Sequence, residues 1–159
     1  MVDITYVCGN ERLIDRIKNL WEELISHLLS VSPYFKEYYQ TLTFEARKRV
    51  ILQRTNGGEV RVDLAFGAGE LVGYCVSSID RLLTGEVDSI FVKTHFRGRG
   101  IGRTLIEKAV VWLDSVGAKK NIVSVTVGNE QVYGFYKRFG FLPRRTLLEK
   151  KKNRNVCFL

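Results

Sequence analysis

Three glycines that alternate with basic side chains form the stretch of this chain best suited to chemistry. The stretch reads Arg97-Gly98-Arg99-Gly100-Ile101-Gly102-Arg103, and apolar residues at helical spacing follow it. Glycine tolerates positive φ and leaves room for a ligand beside the backbone. A helix start offers unpaired amide N–H groups and a partial positive charge, to which the arginines add full charges. The sequence therefore predicts an anion site, best suited to phosphate, whose amides run from Arg97 to Thr104.

Two common phosphate-binding motifs do not fit this loop. A P-loop needs Lys-Ser or Lys-Thr after its glycines, and no such pair follows here. The dinucleotide fingerprint needs Gly-x-Gly-x-x-Gly, whereas these glycines stand at positions 98, 100 and 102. The pattern that fits is Arg/Gln-x-x-Gly-x-Gly/Ala. On these six residues alone, a solvated basic turn that caps an ordinary helix stays an alternative.

The elements around the loop predict how it is held. A strand over about 85–93 leads into the loop, and a helix over 101–116 follows it until Gly117 stops the helix. Other predicted strands lie at 2–7, 60–66, 70–79 and 121–127, with a last strand or pair at 141–142 and 145–149 and a short piece at 156–158. Other predicted helices lie at 11–29, from Pro33 through Tyr39, at 44–53 and at 130–139.

The order of these elements predicts the fold class. Short turns make the consecutive strands antiparallel, and the long helix favours a parallel, right-handed crossover. We therefore expect an α/β (α+β) chain with a mixed, mostly antiparallel central sheet and helices on both faces. No repeat, linker or low-complexity segment divides the chain, so residues 1–159 are predicted to form a single domain.

A second motif lies downstream and reads Asn129-Glu130-Gln131-Val132-Tyr133-Gly134-Phe135-Tyr136-Lys137-Arg138-Phe139-Gly140-Phe141. It places an asparagine after a strand, then a short aromatic helix that a glycine ends. Asn129 by itself is also an ordinary N-cap residue. Tyr136 by itself is also an ordinary core residue, since it shares a helix face with other apolar side chains.

Together the two motifs resemble the signatures of the GNAT N-acetyltransferase family. The first resembles the acetyl-CoA pyrophosphate loop, and the second resembles the family's Phe-Tyr-Lys/Glu-x-x-Gly-Phe helix. They occur in the family's order, separated by a long helix and a strand, and the resemblance covers about residues 60–150. It implies a GNAT-like fold and direct transfer of an acetyl group from acetyl-CoA to a primary amine, with no metal.

The resemblance also implies roles for individual residues. Glu86 lies eleven residues before Arg97, where several similar family members place a general base, and Asp88 is the second choice. A chain of water molecules is the remaining alternative for the base. Tyr136 would direct its hydroxyl at the sulfur of the cofactor and assist the leaving thiolate. The implied cofactor-binding residues are Ile90, Phe91, Val92, Arg97, Gly98, Arg99, Gly100, Ile101, Gly102, Arg103, Thr104, Asn129 and Tyr136.

Strand geometry adds one expectation about the stretch before the loop, and the resemblance implies two more. With a side-chain period of two, Glu86 and Asp88 should share a face with Ile90 and Val92. The backbone of Ile90 and Val92 would hold the pantetheine arm as an added strand does. An N–H near Phe91 or Val92 would donate to the thioester oxygen.

Composition limits the class of protein. The 159 residues are 45% hydrophobic, and no apolar run is long enough to span a bilayer. The first residues have neither a basic nor an apolar leader region, so we expect a cytoplasmic protein without a membrane partner. Cys8, Cys75 and Cys157 are odd in number and far apart, which indicates thiols rather than disulfides or a metal site. A cysteine-based covalent mechanism is not favoured.

The net charge of +8 is concentrated in residues 137–154. Such a segment fits a solvated face, the attraction of a polyanionic cofactor, or contact with nucleic acid. Nucleic acid is the least favoured partner because no recognition helix or aromatic-basic RNA motif accompanies the charge.

The acceptor is left open by the sequence. The resemblance places its site near residues 26–40 and 144–155, where Tyr34, Phe35, Tyr38 and Tyr39 would either wall a pocket or belong to the core. A protein N-terminus, a lysine or a small amine would each fit, and the basic segment hints at an acidic acceptor surface. A catalytically inactive CoA-binding sensor or interaction module is the alternative function. The resemblance also allows a homodimer through the C-terminal strands.

Overall fold

The computed structural model describes residues 3–151. Short 3₁₀ segments occur at Glu11–Ile17, Thr94–Phe96 and Glu130–Val132. The strands are β1 (Ile4–Gly9), β2 (Glu59–Gly67), β3 (Glu70–Ile79), β4 (Thr84–Val92) and β5 (Lys120–Val123). The helices are α1 (Lys18–Val31), α2 (Lys36–Thr41), α3 (Phe44–Thr55), α4 (Ile101–Ser115) and α5 (Tyr133–Lys137).

The five strands form one sheet in the order β1-β2-β3-β4-β5. The first four are antiparallel to their neighbours, whereas β5 runs parallel to β4 after the crossover through α4. The tight turn between β2 and β3 requires positive φ at Ala68 and Gly69. The predicted mixed, mostly antiparallel sheet is therefore confirmed.

Helices cover both faces of this sheet, as the sequence predicts. The first layer joins the sheet to the 3₁₀ segment, α1 and α3, and its buried side chains include Ile14, Trp21, Ile51, Leu64 and Tyr74. The second layer joins the sheet to α4 and α5, and its buried side chains include Val72, Val87, Leu105, Ile106 and Tyr136. The periodic apolar residues of α1 and α4 account for both layers, because each helix buries one stripe.

Several predicted elements differ in the structure. The helix predicted over 11–29 is 3₁₀ up to Ile17, and the helix predicted over 130–139 is 3₁₀ over Glu130–Val132 and α-helical over Tyr133–Lys137. The second helix begins at Lys36 rather than at Pro33, because Phe35 takes a left-handed conformation with φ 53° that a helix cannot continue through. The strand predicted over 121–127 ends at Val123. Beyond it the chain turns away from the sheet toward α2, where Tyr39 and Thr126 share a hydrogen bond of 2.9 Å.

The predicted strands at 141–142 and 145–149 are wrong for the described chain, where residues 141–151 form no regular structure. Leu142, Leu147 and Leu148 are 68%, 85% and 89% exposed, so their apolar pattern has no surface to cover. Alternation creates a strand only where a partner strand supplies hydrogen bonds. The homodimer expected through these strands therefore stays a prediction without its structural basis, and the predicted piece at 156–158 lies outside the described residues.

Within residues 3–151, no helix combines the length and the apolar character that crossing a bilayer requires. In the same range, the His, Cys, Asp and Glu side chains form no group of three that could hold a metal ion.

The buried stripe of α4 provides a test of the fold. Leu105→Ala removes a fully buried side chain from the second layer, and we expect it to lower the free energy of unfolding by about 2–5 kcal/mol. Val111→Ala on the exposed side of the same helix, where Val111 is 69% exposed, should change it by less than about 0.5 kcal/mol. Urea denaturation followed by circular dichroism measures both, and equal losses would contradict the packing described here.

Candidate active site

The sheet opens where β4 and β5 part. The two strands pair from Thr84 and Lys120 up to Val87 and Val123, after which β5 ends and β4 continues to Val92. From Asp88 onward, β4 therefore has a neighbouring strand on the β3 side alone. Unpaired strand backbone can bind an extended ligand as an additional strand does. The opening thus offers the backbone N–H and C=O groups of β4 to an extended, hydrogen-bonding ligand.

The glycine loop lies at the far end of β4. Gly98 and Gly100 have φ of 75° and 80°, and a Cβ built on either glycine meets no heavy atom within 4 Å. Gly100 is the N-cap residue of α4, and no side chain within residues 3–151 caps this helix start. The first amides of a helix have no partner within the helix. The loop therefore offers open space, unpaired N–H groups and the positive end of a 15-residue helix, which together fit a diphosphate.

The three arginines of the loop differ in their contacts. Arg97 donates from Nε to the carbonyl oxygen of Val92 at 2.9 Å, and its guanidinium lies 5.4 Å from the centre of the Phe91 ring. This pairing fixes Arg97 at the end of β4. Arg99 stacks over Phe96, with 5.2 Å between its Cζ atom and the ring centre. Positive charge therefore lies along the loop on both sides of Gly98.

Arg103 lies one helical turn into α4. It pairs with Glu107 at 2.7 Å across that turn. A cavity of about 220 Å³ lies beside this pair and is lined by Arg103, Glu107, Phe135, Arg138 and Phe139. The cavity extends the basic surface from the loop toward α5.

A bulge in β4 determines which way its side chains point. Val76 pairs with Ser89 and the next residue of β3, Ser77, pairs with Val87, so Asp88 is an extra residue without a partner. An extra residue reverses the alternation of faces beyond it. Glu86 and Asp88 consequently face α3, whereas Ile90 and Val92 pack in the α4 layer. The predicted common face for these four residues is therefore wrong.

The two carboxylates lie in a small polar cluster beneath α3. The side chain of Asp88 is 1% exposed, accepts a hydrogen bond of 2.5 Å from Ser78 and lies 3.4 Å from Nη2 of Arg54. The side chain of Glu86 is 14% exposed and lies 3.2 Å from Nε of Arg54. Arg47 donates to the backbone carbonyl of Asp88 at 2.7 Å. The bulge thus places both carboxylates beside one guanidinium at the point where the sheet opens.

Burial is the main influence on both carboxyl groups. It raises the pKa of Glu86 above its ordinary value, the charge of Asp88 adds to this rise, and Arg54 and Arg47 oppose it. Burial also raises the pKa of Asp88, while the Ser78 hydrogen bond and the charges of Arg54 and Arg47 oppose the rise. A carboxylate with a raised pKa is a stronger base, which suits it to accept a proton.

Tyr136 lies on α5 in the second apolar layer. Its ring packs edge-on against Phe135 and Phe141, with ring centres 5.2 Å and 6.0 Å apart. Its hydroxyl makes no hydrogen bond to any other residue of the described chain. Burial raises the pKa of Tyr136 well above its ordinary value. The phenol therefore stays protonated and has its donor available for a ligand.

Asn129, in the segment between β5 and α5, contacts α1 through its side chain. Its Oδ1 lies 3.3 Å from Nε2 of His27, and its side chain does not cap the segment that follows it. A Cβ at Gly128 would lie 2.1 Å from the carbonyl oxygen of Val31, so only glycine allows this close approach. The C-terminal half of α1 is thus held against the segment between β5 and α5.

The aromatic residues before and within α2 border the same region. Tyr34 and Tyr38 are exposed, and Phe35 and Tyr39 are partly buried. Exposure of Tyr34 and Tyr38 removes the core alternative for these two residues. Tyr34 and Tyr38 are surface residues close to the segment between β5 and α5.

The cysteines lie away from this arrangement. Cys75 is buried in β3, and burial raises its pKa to about 12, so its thiol is protonated and weakly nucleophilic. Cys8 is exposed on β1, the edge strand farthest from the opening. Cys157 lies outside the described residues.

Sequence reasoning missed four side chains that complete the site: Arg47, Arg54, Ser78 and His27. Arg47 and Arg54 read as ordinary basic residues of an amphipathic helix, and Ser78 reads as one of two serines in a strand. His27 lies 102 positions from Asn129. No local pattern in the sequence indicates any of these contacts, because each depends on how separate elements pack.

The described chain is a mixed α/β fold whose sheet opens beside a glycine loop at a helix N-terminus, and comparison with known proteins identifies the family. The Acetyltransferase (GNAT) family matches residues 20–141, which is more than half of the chain. The chain belongs to this family, as the two motifs indicate. The match begins at Leu20 and so includes α1, which the motif-based resemblance leaves out.

A curated relative supports this assignment. The chain is 33% identical over 75 residues to the putative [ribosomal protein bS18]-alanine N-acetyltransferase of Bacillus subtilis, covering 47% of this chain and 49% of the relative. Among the curated relatives compared, the aligned part is 25–49% of the relative's length. The chain thus spans half or less of the curated relatives it matches.

Solved structures match the fold over most of the chain. A putative acetyl transferase from Pyrococcus furiosus is 27% identical with a TM-score of 0.67, covering 93% of this chain and all of that one. The PaiA N-acetyltransferase from Thermoplasma acidophilum, solved in complex with coenzyme A, has a TM-score of 0.70 at 18% identity, covering 91% of this chain and 92% of that one. These neighbours show that the fold is the GNAT fold.

Proposed function

We propose that the chain transfers an acetyl group from acetyl-CoA to a primary amine by direct attack. The observation that carries this proposal is the opening between β4 and β5, which runs from Val87 to the uncapped N-terminus of α4. The coenzyme A bound to the Thermoplasma neighbour supports the choice of donor. The name of the Bacillus relative, an alanine N-acetyltransferase, supports an amine as the acceptor class.

Residues along the opening would bind different parts of the donor. Backbone groups of Ile90, Phe91 and Val92 would pair with the amide-bearing arm, since no β5 residue pairs with them. The amides from Gly98 to Arg103 would bind the diphosphate. This range is narrower than the predicted Arg97 to Thr104, because the N–H groups of those two residues already donate to the carbonyl oxygens of Thr94 and Gly100 at 3.2 Å and 3.0 Å. Asn129, whose Oδ1 is paired with His27, would donate its amide N–H to the arm. Acetyl-CoA supplies an activated acetyl group, and the chain supplies position and charge.

Proton transfer would follow from the placement of Glu86 and Tyr136. A lysine-like amine has a pKa near ~10.4 and must lose a proton before it attacks. Glu86, at the point where the strands part, would take that proton, with Asp88 as the second candidate. The new bond joins nitrogen to the acetyl carbon, and the bond from that carbon to sulfur breaks. An N–H near Phe91 or Val92 would stabilise the carbonyl oxygen. As the intermediate collapses, the nitrogen would lose its second proton to solvent. Tyr136 would give a proton or a hydrogen bond to the leaving sulfur and regain its proton from solvent, so that the products are the amide and the thiol of coenzyme A.

A thermal melt with acetyl-CoA tests the binding half of this proposal. At a ligand concentration of about one hundred times Kd, binding to the folded state stabilises it by about 2.7 kcal/mol. For a chain of this size, we expect the melting temperature to rise by roughly 5–10 °C. An unchanged melting temperature with acetyl-CoA, together with a salt-dependent rise with an RNA or DNA oligonucleotide, would favour the nucleic-acid alternative instead.

The free hydroxyl of Tyr136 gives a prediction for the second half of the reaction. Tyr136→Phe is expected to lower kcat by about 10²-fold, because the leaving thiolate loses its proton donor. The melting temperature should change little, since the hydroxyl makes no hydrogen bond to another described residue. Steady-state kinetics with acetyl-CoA measure kcat, and an unchanged kcat would leave Tyr136 with a packing role alone.

A further inference from the structure

Arg54 is the common partner of three groups on two strands. Its Nε lies 3.2 Å from Oε2 of Glu86, and its Nη2 lies 3.4 Å from Oδ1 of Asp88. The same Nη2 donates to the hydroxyl of Ser78 on β3. The planar guanidinium thus reaches both carboxylates and the Ser78 hydroxyl from the last turn of α3.

The two carboxylates have unequal freedom to accept another proton. Asp88 is 1% exposed and already accepts from Ser78 at 2.5 Å and from Arg54. Glu86 is 14% exposed, and the Nε–H of Arg54 at 3.2 Å is not aligned to donate to it. Glu86 therefore attracts Arg54 as an ion while its oxygens remain available. Asp88 has its oxygens committed inside the cluster.

The difference in exposure and hydrogen bonding between Glu86 and Asp88 indicates that the two carboxylates have separate roles. We propose that Arg54 is a positioning residue that holds Glu86 in its proton-accepting form where β4 and β5 part, while Asp88 and Ser78 fix the guanidinium. The proposal rests on the proposed function for the role of Glu86 in proton transfer. It makes Asp88 a support for Arg54 rather than a second base.

The charges that act on Glu86 come from two elements. Arg54 and Arg47 approach it from α3, and Asp88 adjoins it on β4. A nearby positive charge favours the ionised carboxylate, and a nearby negative charge disfavours it. Removing the charge of Arg54 should therefore raise the pKa of Glu86, and removing the charge of Asp88 should lower it. These opposite shifts would establish that both charges act on Glu86, and the pH dependence of turnover would establish that the reaction uses this effect.

A titration of the protein without substrate tests this prediction. The protein is labelled with ¹³C at glutamate carboxyls, the resonance that Glu86→Gln abolishes is assigned to Glu86, and its chemical shift is followed with pH. For Arg54→Gln we expect the midpoint of Glu86 to move up by about one pH unit or more, and for Asp88→Asn to move down by a similar amount. Arg54→Lys, which keeps the positive charge, should restore most of the change.

The control is Arg49→Gln, which removes an arginine from an exposed position of the same helix. It changes the net charge as Arg54→Gln does and should leave the midpoint of Glu86 unchanged. If Arg54→Gln does not fold, the Glu86 midpoints in Asp88→Asn and Arg54→Lys still test the proposal. The midpoint should fall in Asp88→Asn and stay close to the wild-type value in Arg54→Lys. No shift in Asp88→Asn, or shifts in one direction for both charge-removing variants, would overturn the proposal.

The pH dependence of turnover separates this proposal from the proposed function. With any amine that the protein acetylates as substrate, the acidic limb of kcat/KM should move in the same two directions as the titration midpoint of Glu86. Opposite shifts in the titration with no acetyl transfer would uphold the charge coupling between Arg54 and Glu86 and contradict the proposed function. Acetyl transfer whose acidic limb ignores both variants would contradict the role of Arg54.

Discussion

Gly100→Glu is expected to abolish acetyl-CoA binding in a protein that still folds. Gly100 has φ 80° and no heavy atom within 4 Å of its Cβ position, so a side chain fits in space and costs about 1–2 kcal/mol in backbone strain. Its carboxylate would lie at the N-terminus of α4, where the account places the diphosphate. Repulsion between the two anions should weaken binding by about 100-fold or more, a loss of about 2.7 kcal/mol or more. Isothermal titration calorimetry measures the affinity.

Gly117→Glu is the matched control for this loop variant. Gly117 has φ 81°, its Cβ position is equally open, and it follows the other end of α4. The control therefore repeats the strain and the charge change away from the loop. We expect it to bind acetyl-CoA as the wild type does. Equal affinity in both variants would show that the glycine loop is not the diphosphate site.

Glu86→Gln is expected to lower kcat/KM by about 10²–10³-fold, because glutamine cannot take a proton from the amine. Affinity for acetyl-CoA should not change, since Glu86 lies on the α3 face and not along the loop. Initial rates over a range of pH measure both the loss and the disappearance of the acidic limb. A rate equal to wild type at neutral pH would transfer the base role to Asp88 or to water.

Stability should move in the opposite direction to activity in this variant. Burial raises the pKa of Glu86 in the folded protein, so the folded state favours the protonated form more than the unfolded state does. Above that raised pKa, the ionised carboxylate costs folding free energy, and the cost disappears as the pH falls. Glutamine removes the cost at neutral pH, so Glu86→Gln should melt no lower than the wild type. Glu59→Gln, on an exposed position of β2, is the control for both measurements.

Local sequence patterns predicted the parts of this protein that local chemistry determines. The alternating glycines around Gly100 require positive φ, and the apolar spacing after Ile101 requires a helix with one buried stripe. Together, these two patterns predicted a helix that begins directly after a strand and a glycine loop. The strand order followed from short turns and one long crossover. The fold class and the loop could therefore be predicted from the residues themselves.

The bulge at Asp88 could not be predicted in the same way. It arises from how β4 pairs with β3, and one extra residue moves Glu86 and Asp88 to the face opposite Ile90. Arg54 lies 34 positions from Asp88 and resembles any other basic residue of its helix. Likewise, the pattern over 145–149 predicted a strand, but a strand forms only where a partner edge is available. These features depend on tertiary pairing, which a single stretch of sequence does not contain.

Acetyl transfer to an amine is the central claim, and the most direct measurement follows both products in one reaction. The wild-type chain is incubated with acetyl-CoA and a panel of primary amines that includes peptide N-termini, lysine peptides and small amines. Free thiol is measured together with the mass of each amine. We expect one or more amines to gain an acetyl group in step with thiol release, and Glu86→Gln to suppress both. Binding of acetyl-CoA with no acetylated amine in the panel would contradict the claim and favour a CoA-binding sensor.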